Sequence, residues 1–216
     1  EDLLASAGIS QLDEKAVIST SLVLDASFIN QPSDKASYKY VHLASYTNSS
    51  FSIDDGLQAM LEHDTFRRAL GDVIKCGLER FHEKYSVGDH GFTLYEKYTR
   101  KDAVRLLNWD HDDSSTVYGY RVKHDTCPIF VTYNKTDDIS KSTQYADQFE
   151  SPRVFSWMTR SRLTLASHEV QSIINQESNG LDIRLFIKKS DTEGSDFYYF
   201  GRVKPISWIG TKQASD

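Results

Sequence analysis

The side chains best suited to chemistry are aromatic and cationic, and they lie in two segments of the second half of the chain. Their members are Tyr118, Tyr120, Arg121 and Lys123 in the first segment, and Trp157, Arg160 and Arg162 in the second. Arginine and lysine bind phosphate oxygens, while aromatic rings stack on bases. The combination therefore predicts a surface that contacts DNA.

The spacing within each segment predicts which side chains act together. If residues 117–124 form a strand, Arg121 and Lys123 share one face, and Tyr118 and Tyr120 share the other. If residues 159–162 are extended, Arg160 and Arg162 project to one side, roughly 6 to 7 Å apart. That separation is close to the repeat of phosphates along a nucleic-acid strand.

Two structural explanations compete with this interpretation. Residues 117–135 could be an ordinary hairpin with a tyrosine-lined core and a solvated basic face. The arginines, which lie in a stretch from Ser151 to Ser167 without an acidic residue, could pair with Asp147, Glu150 or Glu169. Both alternatives remain open at the level of sequence.

Catalytic patterns are weak throughout the chain. The acidic loop Asp110–Asp113 lacks the glycine and terminal glutamate of a calcium loop. A restriction-type nuclease would need a carboxylate two residues before Lys135, where Tyr133 stands instead. A phosphate-cradling glycine loop is also missing. We therefore predict no catalytic residue, no metal site and no cofactor, and we expect the chain itself not to be an enzyme.

Composition restricts the class of protein. The chain has 216 residues, 39% of them hydrophobic, and a formal net charge of -6. This charge argues against a protein that coats nucleic acid nonspecifically, but it allows a local basic groove. Cys76 and Cys127 lie outside any metal-type spacing, which indicates free thiols, while a disulfide between the two stays open at the level of sequence. Because the sequence has neither a signal pattern nor a membrane-length apolar run, we expect a cytoplasmic protein that does not contact a membrane.

The hydrophobic periodicity predicts a helical first half. Apolar residues recur at helical spacing from Leu12 to Leu24, and again from Asp64 to Phe81. Ser52 precedes an acidic turn and predicts a helix start, whereas Asn30–Asp34 predicts a loop. Val41–Tyr46 fits a helical turn or a short strand equally well. Val87–Gly91 marks the expected boundary between a helical lead-in, residues 1–88, and a β-rich module, residues 89–216.

The second half combines short helices with hairpins. Thr99 and Asp102 form a capping-box pattern, and Ser167–Ile174 predicts another helix. A hairpin is expected to turn at Asp125–Pro128, and a second one joins 181–189 to 197–203. The predicted fold class is α+β, with the helical part followed by a mainly antiparallel curled sheet or open β-barrel.

Several short motifs in this half, taken in their order along the chain, resemble one bacterial module. They are Tyr95–Asp102, Leu106–Trp109, Tyr118–Val122, Pro128–Tyr133, Phe155–Trp157, Leu185–Ile187 and Phe197–Gly201. In this order they are similar to the C-terminal domain of unknown function that follows the core of DEAD/DEAH-box superfamily-two helicases, often with a phospholipase-D-like nuclease domain. The similarity extends over roughly residues 92–205.

The resemblance implies a part of a bacterial restriction or phage-defence enzyme, and it supplies no catalytic residues. It also implies a likeness to β-barrel folds that read modified bases. We therefore expect a non-catalytic module that recognises or guides DNA. Its expected partners are DNA, modified or unmodified, and the helicase core of the same polypeptide. The alternative is a structural module that docks on the helicase core or mediates oligomerisation.

Overall fold

The computed structural model describes residues 13–37, 42–48, 50–85, 89–134 and 147–210. The chain packs as two units, one comprising residues 1–93 with 104–114, and the other residues 94–103 with 115–216. Of the expected boundary segment Val87–Gly91, residues 87 and 88 lie outside the described residues, and Asp89–Gly91 form a single 3-10 turn. None of the described helices has the length and apolarity needed to cross a bilayer.

Unit 1 is mainly helical. Its elements are α1 (Glu14–Leu24), α2 (Pro32–Ser37), β1 (Ala44–Thr47), β2 (Ser50–Ile53), α3 (Asp55–Leu61) and α4 (Asp64–Lys84). The predicted helices at the start of the chain and from Asp64 are confirmed. The ambiguous segment that ends at Tyr46 contains β1, which pairs with β2 as an antiparallel hairpin.

Two local predictions for unit 1 are wrong. The loop expected at Asn30–Asp34 instead contains the start of α2 at Pro32, because proline fits the first helical position, where its missing N–H is not needed. Ser52 does not cap α3, since it lies in β2. Asp54 caps that helix by accepting a hydrogen bond from the Leu57 amide at 2.8 Å.

Unit 2 is built on a mixed four-stranded sheet. Its elements are β3 (Lys97–Tyr98), β4 (Thr126–Asn134), β5 (Gln148–Ser151), β6 (Val154–Ser156), α6 (His168–Ile174), α7 (Gln176–Asn179), β7 (Asp182–Ser190) and β8 (Phe197–Arg202). Helix α5 (Arg100–Leu106) follows β3 and belongs partly to each unit. The order in the sheet is β3-β8-β7-β4, and β5 and β6 form a separate hairpin.

The α+β class is confirmed, but the sheet differs from the expected one in two ways. β4 and β7, the two nine-residue strands, pair in parallel, although the β7–β8 hairpin is antiparallel as predicted. A parallel pair needs a long crossover, which the chain supplies through β5, β6, α6 and α7. Among the described strands, all the sheets are open, so the barrel alternative has no support.

The two faces of this sheet bury different side chains. Aliphatic residues fill one face, where Ile129 and Val131 of β4 pack with Leu185 and Ile187 of β7. Aromatic residues fill the other face, which includes the stacked pair Phe130 and Phe186 at 4.7 Å. The aliphatic face supports the two segments predicted to contact DNA, because the partly buried Val122 and Trp157 of these segments pack against it.

Candidate nucleic-acid interface

The first predicted segment forms only an irregular partner for β4. It contacts the strand through single antiparallel bridges, Tyr120 with Ile129 and Lys123 with Thr126. The reversal occurs at Lys123–Thr126, where His124 has a φ of 56°. The corner expected at Asp125–Pro128 is therefore placed too late, since Pro128 already lies inside β4.

The expected alternation of faces holds in one part of this segment and fails in the other. Tyr120 is buried and Val122 packs on the core, so the intervening Arg121 lies on the opposite face, as predicted. Tyr118, however, is 72% exposed, whereas Val117 is buried. The reason is Gly119, whose φ of 78° interrupts the extended backbone and rotates the preceding residues to the other side.

The second predicted segment is a turn and not a strand. The Leu163 amide donates to the Arg160 carbonyl at 3.3 Å, and Arg162 has a left-handed φ of 73°. The two arginines therefore do not project side by side as they would from extended backbone. Arg162 is exposed, while the Arg160 side chain turns back towards the protein.

Glu169, at the start of α6, joins the two segments. Arg160 Nη2 donates to Glu169 Oε1 at 2.5 Å and to Oε2 at 2.7 Å. The Val122 amide donates to the same Oε1 at 3.5 Å, at the outer limit of a hydrogen bond. A carboxylate in the first turn of a helix also interacts favourably with the helix dipole. Glu169 thus holds residues 120–123 and the turn at 160–163 to one helix.

Tyr120, Trp157, Arg160 and Glu169 make up what we call the Glu169 clamp. The Trp157 ring meets the Tyr120 ring edge-on with centroids 4.8 Å apart, and the Arg160 guanidinium lies 4.8 Å from the Tyr120 centroid. The Tyr120 hydroxyl and Arg160 Nε are both enclosed without a well-formed hydrogen bond. These contacts resemble the inside of a protein more than a platform open to a base.

Electrostatics agrees with this description of the clamp. Burial raises the pKa of Tyr120 to about 12, and the nearby Glu169 carboxylate acts in the same direction. Burial opposes the charged form of Arg160, but its neighbours Tyr120 and Glu169 outweigh that effect and raise its pKa. Tyr120 therefore stays neutral and Arg160 stays charged throughout the physiological range.

The remaining four predicted residues form what we call the basic surface: Tyr118, Arg121, Lys123 and Arg162. Tyr118 and Arg162 are exposed, and Arg121 and Lys123 are partly exposed. Arg121 donates to the Thr116 hydroxyl, which restricts the guanidinium. Arg121 and Lys123 flank Val122, and Arg162 follows Arg160 by two residues, so the Glu169 clamp holds their parent segments together.

From the sequence, Glu169 is one of three possible partners for the arginines, with Asp147 and Glu150. Of the other two, Asp147 accepts a hydrogen bond from the Met158 amide at 3.1 Å, and Glu150 accepts one from Gln148 at 2.8 Å. The pattern Ser167-His168-Glu169 at a helix start was the available signal for Glu169, but it does not reveal which distant cation the carboxylate meets.

The acidic loop of unit 1 is occupied by its own hydrogen bonds. Asp112 Oδ1 accepts from the Ser114 hydroxyl at 2.5 Å, and Asp110 pairs with His111 at 2.9 Å. Within the described ranges, no group of three or more His, Cys, Asp or Glu side chains is arranged to hold a metal ion. Lys135, considered for a nuclease pattern, lies outside those ranges.

Comparison with known protein families gives two matches that together span most of the chain. Residues 92–216 match the model of a domain of unknown function, DUF3427, and residues 2–85 match that of another domain of unknown function, DUF8090. No curated protein matches the chain. The first match contains every residue of the Glu169 clamp and of the basic surface.

Proposed function

We propose that this chain, which belongs to the DUF3427 family of domains of unknown function, is a non-catalytic module that recognises or guides DNA within a larger bacterial helicase of a restriction or phage-defence system. One observation carries the proposal. A single carboxylate, Glu169, gathers two basic segments that are far apart in sequence. A surface assembled in this way presents several cations to a polyanion in a fixed arrangement.

The residues of the basic surface and of the clamp have different roles in this proposal. Arg121, Lys123 and Arg162 contact phosphates, and Tyr118 supplies an exposed ring that can stack on a base. Tyr120, Trp157 and Arg160 serve as positioning residues that hold the two segments in place. We assign these roles from burial and hydrogen bonding, since the Arg160 guanidinium already donates two hydrogen bonds to Glu169.

The distribution of charge supports the same assignment. Unit 2 has sixteen Lys and Arg against fourteen Asp and Glu residues, a net charge of +2, whereas unit 1 has nine against seventeen, a net charge of -8. The net charge of -6 thus comes from unit 1, whereas unit 2, which contains the basic surface, is slightly positive. The net negative charge of unit 1 disfavours nonspecific binding of DNA to that part of the chain.

A salt titration of DNA binding tests the proposal. We expect the triple variant Arg121→Ala, Lys123→Ala, Arg162→Ala to bind a fluorescent duplex more weakly than the native chain. Its slope of log affinity against log salt should fall by about 3, roughly one for each lost phosphate contact. The matched control removes the same charge from α4 of unit 1 by Arg68→Ala, Lys75→Ala and Arg80→Ala, which should leave the slope unchanged. Equal slopes for the two triple variants would contradict the proposal.

A second candidate, a module that docks on the helicase core, rests on a separate observation. The segment after β8 exposes three large apolar side chains, Ile206, Trp208 and Ile209, the last of them 89% exposed. Exposed apolar clusters of this kind mark protein contacts. If the native chain binds neither duplex nor single-stranded DNA at low salt, this candidate replaces the first.

A further inference from the structure

A cluster of aromatic side chains at one end of the sheet in unit 2 has no role in the site described so far. We call it the aromatic patch, and its members are Tyr95, Tyr133, Phe149, Phe155 and Phe200. Phe149 is its centre, with ring centroids 4.8 Å from Phe155, 5.6 Å from Phe200 and 6.2 Å from Tyr133. Tyr95 extends the row, edge-on to Phe200 at 5.7 Å.

The patch arises because a core-facing row of β4 continues beyond the core. Cys127, Ile129 and Val131 are nearly completely buried, but the next residue on that face, Tyr133, is 42% exposed. Phe155 and Phe200, which pack on the core, form the layer beneath. Phe149 on β5 remains 39% exposed above that layer. An apolar row that ends in exposed rings leaves large π surfaces facing solvent.

Tyr95 is held in a strained backbone conformation. Its φ of 68° is rare for a bulky side chain, and its amide donates to the Tyr199 carbonyl at 2.8 Å. Gly201, two residues beyond Tyr199, has a φ of 101°, and a Cβ there would lie 3.1 Å from Leu94 Cδ2. Although its ring is 67% exposed, the backbone of Tyr95 is thus fixed by the sheet. Strain that holds an exposed ring in place is typical of a ligand-contacting position.

The charges around the patch favour an anionic ligand. Arg153 at the tip of the β5–β6 hairpin is exposed, and Lys97 follows Tyr95 by two residues, with Nζ 4.7 Å from the Tyr198 ring centroid. Glu150, at a register shift in the β5–β6 pairing, accepts a hydrogen bond from Gln148. A hydrogen bond with Tyr198 raises the pKa of Lys97, and the carboxylates Glu193 and Asp196 also act on Lys97 and help to raise it. The main cation for a ligand is therefore the exposed Arg153, in the hairpin that carries Phe149 and Phe155.

We infer that the aromatic patch binds the unpaired bases of single-stranded nucleic acid, with Tyr95, Tyr133 and Phe149 as the stacking residues. Exposed rings with cations beside them are the arrangement by which proteins bind single strands, because every base has a π face and the backbone is anionic. A duplex keeps its bases stacked inside and cannot use such rings. The inference rests on the proposed DNA-binding function and narrows its ligand to DNA with an unpaired stretch.

The patch and the basic surface are connected through the chain. β6 ends at Ser156, so Phe155 of the patch precedes Trp157 of the Glu169 clamp by two residues. The hairpin that carries Phe155 thus leads directly into the segment that carries Arg160 and Arg162 of unit 2.

The test compares oligothymidylate of about 12 nucleotides with a duplex of the same length, using fluorescence anisotropy with the full chain. The double variant Tyr95→Leu, Tyr133→Leu keeps apolar area but removes both rings. We expect it to bind oligothymidylate about tenfold more weakly for each ring lost, and the duplex as the native chain does. The double variant Tyr95→Phe, Tyr133→Phe keeps the rings and should bind both probes normally. Phe51→Leu removes a half-exposed ring from unit 1, away from the patch, and should leave the binding of both probes unchanged.

The outcomes separate this inference from the proposed function. Native-like binding of oligothymidylate by the leucine variant, with a normal melting temperature, would overturn the inference. If the duplex alone is bound, and this depends on Arg121, Lys123 and Arg162, the inference fails while the proposed function stands. If oligothymidylate binding depends on the rings but not on these cations, the patch is confirmed and the proposed phosphate contacts fail.

Discussion

At the scale of single residues, Arg160 and Arg162 illustrate how neighbours of the same type can differ in role. Arg160 donates twice to Glu169 and lies over Tyr120, with 37% of its side chain exposed. Arg162 is exposed on the turn that follows. One is therefore a stabilising residue, and the other is available to a ligand.

We expect single alanine variants of the two arginines to differ in their free energy of unfolding and in DNA binding. Arg160→Ala leaves Glu169 without its cation and removes the guanidinium from Tyr120. It should lower the free energy of unfolding by about 1 to 2 kcal/mol, between the values for exposed and buried ion pairs. Arg162→Ala should leave stability within about 0.5 kcal/mol of native but weaken DNA binding and its salt dependence.

Urea unfolding and a salt titration on the same preparations measure both effects. Arg160→Lys is the matched control, since it keeps the charge but loses the paired hydrogen bonds. If Arg162→Ala destabilises the protein as much as Arg160→Ala, the assignment of separate roles is wrong.

At the scale of elements, the start of α5 shows a local pattern that the structure confirms in detail. The Thr99 hydroxyl accepts from the Asp102 amide at 3.0 Å, and the Asp102 carboxylate accepts from the Thr99 amide at 3.2 Å. This reciprocal pair is the capping box expected from sequence. It directs Arg100 to the aromatic face of the sheet, with its guanidinium 4.9 Å from the Phe197 centroid.

Removing the cap should destabilise the protein by a predictable amount. Thr99→Ala leaves an orphan amide at the helix start and should lower the free energy of unfolding by about 1 kcal/mol. Thr65→Ala in the first turn of α4 makes the same chemical change away from a cap and should be close to neutral. Denaturant titration of the two variants measures the difference. A cost for Thr99→Ala no larger than for Thr65→Ala would show that the cap contributes nothing.

At the scale of the whole molecule, each unit contains one cysteine, and the two differ in environment. Cys76 on α4 is an exposed free thiol, and Cys127 on β4 is buried in the core of unit 2. The pKa of the Cys127 thiol is raised by burial, with a smaller contribution from Glu169. A buried thiol of this kind reacts only when the surrounding structure opens.

We therefore expect a thiol reagent at pH 8 to modify one cysteine of the native chain and two in denaturant. Cys76→Ser should remove the fast native reaction, and Cys127→Ser should leave it intact. The rate at Cys127 then reports the opening of unit 2 alone. Rapid modification of both thiols in the native chain would mean that the core of unit 2 is not closed around β4.

The sequence alone determined the helices, the helix cap and the hairpin that form between residues close together in the chain. Helix α4, the α5 capping box and the β7–β8 hairpin follow from side-chain periodicity and turn chemistry within about twenty residues. The α+β class follows from the same signals. The sequence also identified Arg121, Lys123 and Arg162 as cations of unit 2, although their relation to DNA remains a prediction.

Only the tertiary structure decided what depends on pairing between distant segments. The parallel pairing of β4 with β7 joins residues 56 positions apart, such as Thr126 and Asp182. The continuous apolar runs of these strands indicate burial on both faces, but they do not identify the partner strand. The same holds for Arg160, whose partner Glu169 could not be distinguished from Asp147 or Glu150 by composition. The positive φ values of Gly119 and Arg162, which turn Tyr118 outward and end the expected extended segment, do not follow from strand periodicity either. Long-range pairing therefore determined which of the predicted residues stabilise the protein and which lie on its surface.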